Sequence, residues 1–268
     1  MDMNKENREG IDINVDSLWV IGARAKGGKR ENNYHGSFVP QIPEQMIRRY
    51  TRSGGIVLDM FMGSGTALYE AEMLGRPYIG FDINDSIIAS VKKKMEGSNA
   101  SYYIHNCDIT DQEKVSLTLS DDLIKLQDTG IELIMSHPPY LDIVKFTDKE
   151  EDLSNVADLN TFIELYIKGV KNVWPFLKRN QYFVLVIGDL WRKGEVVPLG
   201  FYLMNAVKQA FDCLLKGIVV KDIVGNRGKL GSENIWRDRV LKSGNFLFKH
   251  EYIFVFKKTN SKSQNERK

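Results

Sequence analysis

An apolar stretch, Ile56-Val57-Leu58-Asp59-Met60, runs directly into Phe61-Met62-Gly63-Ser64-Gly65-Thr66 and then into helix-forming residues that stop at Gly75. A strand that turns on glycines into a helix, followed by a second apolar strand over Tyr78 to Phe81, reads as a βαβ unit. Such a unit commits the chain to a parallel sheet with a right-handed crossover. The same rhythm recurs. Helices are expected over Ile42 to Tyr50, Thr66 to Leu74, Asp85 to Met95, Asp121 to Leu126, Leu159 to Leu177 and Leu199 to Leu215. Strands are expected near Ser17 to Ala23, Tyr102 to His105, Ile131 to Met135, Tyr182 to Ile187, Ile218 to Ile223 and Glu251 to Lys257. Alternation over most of the chain predicts an α/β fold, a doubly wound, mostly parallel Rossmann-like sheet with helices on both faces. One domain over residues 17–258 accommodates it, with a flexible arm at 1–16 and a disordered tail at 259–268.

The chain has 268 residues, 43% of them hydrophobic and 27% charged, with seven prolines, so collagen and wholesale disorder are excluded. Its apolar runs fall far short of the roughly 20 residues a membrane helix needs. Met1 to Gly10 is polar and carries no apolar core for a secretory signal, and a cytoplasmic address is expected. Cys107 and Cys213 sit in no paired motif, so they read as buried small hydrophobes, and no metal site is visible.

The glycine turn and Asp82 together point to an adenosyl nucleotide. Two glycines let a backbone approach a ligand closely, and a helix start offers unpaired N–H groups. Asp82 ends the next strand, where a carboxylate can accept hydrogen bonds from a ribose diol. A glycine-rich turn alone also suits dinucleotide enzymes. What separates the alternatives is Ser136-His137-Pro138-Pro139-Tyr140, again at the end of an apolar strand, because a Pro-Pro-Tyr motif has no role in hydride transfer.

The ordered set DMFMGSGT, LGRPYIGFDIN and SHPPY resembles the S-adenosylmethionine-dependent amino-methyltransferases that modify adenine N6 or cytosine N4 in DNA. Tyr34-His35-Gly36-Ser37-Phe38-Val39-Pro40 with QIPEQMIRRYT, and downstream IGDLWRKGEVVPLGF and FKHEYIFVFKK, are similar to further segments of that family, so the resemblance spans roughly Tyr34 to Lys258. It implies a methyltransferase domain that takes duplex DNA with a flipped target base and uses S-adenosylmethionine. It assigns the cofactor to Asp59, Phe61, Gly63, Ser64, Gly65, Thr66 and Asp82, with His35 and Phe38 from the upstream segment, Asp108 near the adenine, and Ser136 ahead of the catalytic motif. Asp108 read by itself is equally a turn or cap residue. His137, Pro138, Pro139 and Tyr140 fall in the target-base pocket.

An exocyclic amino nitrogen is a poor nucleophile because its lone pair is delocalised into the ring. Acceptors that take its protons favour the pyramidal form, and an aromatic ring holds the flipped base. The family's first motif position is usually Asp, Asn or Ser; here it is His137, which leaves adenine and cytosine both open. A neutral His137 can accept through one ring nitrogen, and an ordinary imidazole would lose that role between about pH 8 and pH 5.5. A purely structural His137, with a proline carbonyl accepting, is the alternative.

Charge is distributed unevenly. Residues 101–160 hold 13 acidic and 4 basic side chains, whereas residues 191–268 hold 7 acidic and 16 basic. Two stretches break the α/β rhythm, at 141–158 and 225–245, and are expected to be irregular recognition loops. In the second, Arg227, Lys229, Arg237 and Arg239 interleave with Trp236, which suits backbone tracking and base stacking. The acidic 148–152 stretch suits a hinge or lid better than phosphate contact, and the basic loop at 25–33 is expected to assist recognition. Asp189 and Trp191 read equally as pocket or turn residues. RNA or protein-amide methylation, and a catalytically silent relative, are the competing functions; a homodimer and a cognate restriction nuclease partner are compatible with the sequence.

Overall fold

The computed structural model describes residues 12–31, 36–223 and 233–259. Its elements are β1 (Leu18–Trp19), α1 (Gln41–Tyr50), β2 (Val57–Asp59), α2 (Thr66–Met73), β3 (Tyr78–Asp82), α3 (Asp85–Lys94), β4 (Tyr102–Asn106), α4 (Gln112–Lys125), β5 (Ile131–Ser136), α5 (Leu159–Val173), β6 (Leu177–Ile187), β7 (Leu190–Arg192), β8 (Glu195–Val197), α6 (Leu199–Ala210), β9 (Cys213–Asp222), α7 (Glu233–Ser243) and β10 (His250–Lys258). Eight strands form one sheet in the order β1-β9-β10-β6-β5-β2-β3-β4. β2 to β6 run parallel, and β10 is inserted antiparallel between β6 and β9. The expected doubly wound α/β architecture is the one observed.

Both faces of the sheet are covered, which explains why its strands are almost continuously apolar. Alternate residues divide between two cores. Phe183, Leu185 and Ile187 of β6 pack with Phe162, Tyr166 and Leu203 on one face. Val184 and Val186 pack with Ile42, Met46 and Leu68 on the other.

Where elements differ from expectation, distant contacts or caps decide. α6 ends at Ala210 because Cys213, Leu214 and Leu215 pair with Lys258, Lys257 and Phe256 of β10. α5 ends at Val173; Pro175, which has no N–H to donate, sits in a short 3-10 turn, and β6 already begins at Leu177. α4 starts nine residues earlier than the apolar pattern showed, capped by Asp111, whose side chain accepts from the Lys114 N–H. The segment at 225–245, expected to be irregular, contains α7. The β7–β8 hairpin, turning on Lys193 and Gly194 with φ of 51° and 83°, was not anticipated.

Residues 12–16 are docked through polar contacts. Asn14 N–H donates to Gln45 (2.8 Å), and Arg49 donates to the Asn14 carbonyl (3.2 Å). In the basic loop at 25–33, Arg30 makes a two-pronged pair with buried Glu70 (2.7 and 2.6 Å) and Lys29 pairs with Glu72 (2.6 Å), while Lys26 is exposed. The Lys29 and Arg30 charges clamp the loop to α2. Among the described residues no helix is long and apolar enough to cross a membrane. Cys107 and Cys213 are buried and free.

Gly169 on α5 lies against Ile109, and a Cβ there would meet Ile109 Cδ1 at 2.4 Å and Cγ1 at 2.8 Å. Gly169→Ala should cost about 1–3 kcal/mol by overpacking. Thermal unfolding should show a lower midpoint, partly restored by Ile109→Val in the same chain, which removes Cδ1.

Candidate active site

The parallel strands end at one edge of the sheet, and the turns that follow them enclose a cavity of about 500 Å³. β2 contributes Met60 to Ser64, β3 contributes Asp82, β4 is followed by Cys107 and Asp108, and β5 by His137 to Tyr140. The antiparallel β10 begins at this edge and β9 ends there, bringing Glu251 and Lys221 into the same wall.

The glycine turn is held by carboxylates. Asp82 accepts from the Gly63 N–H (2.7 Å) through one oxygen and from the Asn84 N–H (2.8 Å) through the other. Gly63 and Gly65 have φ of 51° and 81°, and a Cβ on Gly65 would press on Tyr69 and Val91 at 3.0 Å. Asp59 is buried below the turn, accepting from the Phe61 N–H (3.2 Å) and the Tyr78 hydroxyl (3.2 Å). Burial raises its pKa to about 7, against the two hydrogen bonds that lower it, and Asp82 adds a further rise. Ser64 and Thr66 line the cavity, and their buried hydroxyl oxygens have no hydrogen-bond partner among the described residues. Unpartnered buried hydroxyls in the wall of a cavity of nucleotide size fit a polar ligand seated on the turn.

Phe38, Phe61, Gly63, Ser64, Thr66, Asp82 and Asp108 therefore come together around one space. Asp59, Gly65 and Ser136 do not line it. Asp59 and Gly65 shape the turn from beneath, and the Ser136 hydroxyl is buried against the Tyr166 hydroxyl at 3.1 Å. Asp108 lines the cavity while its side chain accepts from the Thr110 N–H (2.8 Å) and hydroxyl (2.9 Å), so the turn and pocket readings hold together. Asp189 takes the turn role, accepting from the Gly200 N–H (3.2 Å) and the Tyr252 hydroxyl (3.2 Å). Trp191 packs on Phe248. His35, Arg227 and Lys229 lie outside the described residues.

At the other end of the cavity, His137 packs its ring 5.0 Å from that of Phe38. Its Nε2 is 3.4 Å from the Tyr140 hydroxyl, which donates to Glu251 Oε2 (3.3 Å). Glu251 Oε1 accepts from Lys221 Nζ (2.7 Å). Lys221 is 2% exposed and Glu251 8%. Burial pulls the His137 pKa down to about 4; Glu251 raises it and Lys221 lowers it, but neither overturns the desolvation. His137 is thus neutral well below the range of an ordinary imidazole, and the pH window expected from the sequence moves down accordingly. Sequence reasoning missed Lys221 and Glu251. Their signal was faint: Lys221 and Glu251 each sit beside another polar residue, Asp222 and His250, at the end of an apolar run, in IVVKDIV and HEYIFVF.

The stretch at 141–158 folds over the cavity. It leaves the motif through Leu141, a buried non-glycine residue with φ of 55°. Ile143, Val144, Phe146 and Leu153 line the cavity. Lys149 donates to the Ile83 carbonyl (2.7 Å) and pairs with Asp85 (2.6 Å), and Asp152 accepts from the Ser154 N–H (2.8 Å) and the Thr147 hydroxyl (2.8 Å). The connection from Ile223 to Glu251 springs from the cavity rim and carries α7. There Arg239 lies over the Trp236 ring (5.1 Å), Arg237 is exposed and Phe246 is 86% exposed.

Asp59 titrates oppositely to a salt-bridged carboxylate. Its raised folded-state pKa stabilises the fold at low pH, and that contribution is lost as pH rises from about 4 to about 7. Asp59→Asn removes the titration. Its thermal midpoint should gain on the parent across that window and keep a constant difference above it; a difference independent of pH would refute the assignment.

Comparison with known proteins agrees with this geometry. Residues 1–93 match the family model described as DNA methylase. The type II methyltransferase M.MjaII of Methanocaldococcus jannaschii is 43% identical over 227 residues, covering 80% of this chain and 43% of that protein. M.BamHI of Bacillus amyloliquefaciens, also a type II methyltransferase, is 30% identical over 91 residues, covering 34% of this chain and 21% of its own. The chain spans less than half the length of these relatives. Among solved structures, a SAM-dependent methyltransferase from Methanosarcina mazei superposes with a TM-score of 0.50 over 80% of this chain and 97% of its own, at 13% identity, a likeness of fold. By its motifs and these matches, the chain is similar to the DNA amino-methyltransferases.

Proposed function

We propose that this cavity transfers a methyl group from S-adenosylmethionine to the exocyclic amino group of a base in DNA, adenine N6 or cytosine N4. The observation that carries the reading is that the glycine turn with Asp82 and the His137-Pro138-Pro139-Tyr140 motif, 74 residues apart in sequence from Gly63 to His137, line one cavity. Asp82 and the Ser64 and Thr66 hydroxyls hold the cofactor's polar groups, Phe38, Phe61 and Asp108 bound it, and Asp59, Gly65 and Ser136 support the frame. His35 belongs with Phe38 in the same proposal. Bound there, S-adenosylmethionine supplies an electrophilic sulfonium methyl group.

The protein's part is to prepare the nitrogen. Neutral His137 and the Pro138 carbonyl accept the amino protons, which frees the nitrogen lone pair, and Tyr140 supplies an aromatic face for the flipped base. The two prolines fix φ and limit how far the acceptors drift. Arg237, Arg239 and Trp236 of α7, with Arg227 and Lys229, engage the phosphate backbone and unstacked bases beside the rim. A single domain over 17–258, a cytoplasmic setting and sequence-specific modification alongside a cognate nuclease complete the proposal.

Incubation with methyl-labelled S-adenosylmethionine and mixed duplex DNA, followed by digestion to nucleosides, should place label on N6-methyladenine or N4-methylcytosine. His137→Ala should lower the single-turnover rate about 10²-fold or more. Because burial keeps His137 neutral, the parent's rate should persist from pH 8 to pH 5.5 and fall only towards about pH 4. Label confined to RNA or protein, or cofactor binding without transfer to DNA, would overturn the reading.

A further inference from the structure

We infer that Glu251, held by Lys221, is a positioning residue that selects the hydrogen-bonding tautomer of His137 through Tyr140. The inference rests on the proposed role of His137 as acceptor for the target amino group.

Directionality of the buried chain carries it. Lys221 Nζ can only donate, so it occupies Glu251 Oε1 at 2.7 Å. Glu251 Oε2 can only accept, so at 3.3 Å it takes the Tyr140 proton. The Gly188 N–H also acts on the Tyr140 oxygen. With its one proton committed to Glu251, Tyr140 can only accept from His137 Nε2 at 3.4 Å. A neutral imidazole carries one N–H, and this contact places it on Nε2 and leaves the Nδ1 lone pair free as the acceptor. The other tautomer would set two lone pairs against each other and present a donor at Nδ1. Glu251 and Lys221 face one another in register across β10 and β9, so the end of the chain is fixed by the sheet itself. Glu251 therefore stands two hydrogen bonds behind His137, with the Tyr140 hydroxyl between them.

Glu251→Gln makes a sharp test, because Lys221 still demands an acceptor. The amide oxygen should turn to Lys221 and the amide NH₂ to Tyr140, so the Tyr140 proton swings towards His137 Nε2 and the tautomer inverts. Long-range ¹H–¹⁵N correlation of ¹⁵N-histidine-labelled protein, with the His137 signals assigned by their loss in His137→Gln, reads this directly without substrate. The parent should show the Nε2–H form, Glu251→Gln the Nδ1–H form and Tyr140→Phe a mixture of the two. Single-turnover methyl transfer should fall about 10–100-fold in Glu251→Gln. An Nδ1–H parent, or a tautomer unchanged in Tyr140→Phe, would overturn the inference even if methyl transfer to DNA is observed. The expected tautomers in a protein that transfers no methyl group to DNA would instead uphold the chain and overturn the function. Tyr140→Phe keeps the ring and removes only the hydroxyl, so the test survives if Glu251→Gln fails to fold.

Discussion

Parallel strands that share one edge oblige the turns after them to share one space. β2 to β6 all end there, so Met60 to Ser64, Thr66, Asp82, Asp108 and His137 to Tyr140 have nowhere else to converge. The antiparallel β10 extends this arrangement. By starting at the edge where the others finish, it brings Glu251 beside Tyr140, and β9, running with β6, brings Lys221 beside Glu251. The cavity is thus a consequence of strand order and direction before it is a set of side chains.

Energetically the two ends of the cavity are built differently. At the glycine turn, backbone N–H groups satisfy Asp82, and unpartnered Ser64 and Thr66 hydroxyls lie beside it. At His137, desolvation outweighs a nearby carboxylate, and the imidazole stays neutral although Glu251 draws its pKa upward. The buried Lys221–Glu251 pair compensates its own charges locally, which lets it orient Tyr140 without protonating His137. Removing one member of such a pair leaves the other buried and unmatched, so the pair acts as a unit.

Much of this was legible in the sequence because it is local. A glycine turn between a strand and a helix, a carboxylate ending the next strand and a proline-proline-tyrosine run each declare themselves over a few residues, and parallel topology predicts that they meet. What was not legible depends on register. The pairing of Lys221 with Glu251 requires knowing that β9 and β10 are neighbours with those residues opposite. The early end of α6 and the inward turn of Lys29 and Arg30 onto α2 are likewise set by partners 40 or more residues away. The helix in α7 escaped notice because its mixed, largely exposed sequence carries little apolar periodicity.

The central claim is that one cavity seats the donor on the glycine turn and the acceptor base on the His137-Pro138-Pro139-Tyr140 motif. A crystal structure of the protein with S-adenosylhomocysteine tests it most directly. The account predicts the ribose at Asp82, polar contacts to the Ser64 and Thr66 hydroxyls, and the sulfur facing the His137 to Tyr140 turn. A ligand bound with its ribose away from Asp82, or with its sulfur turned from that motif, would contradict it.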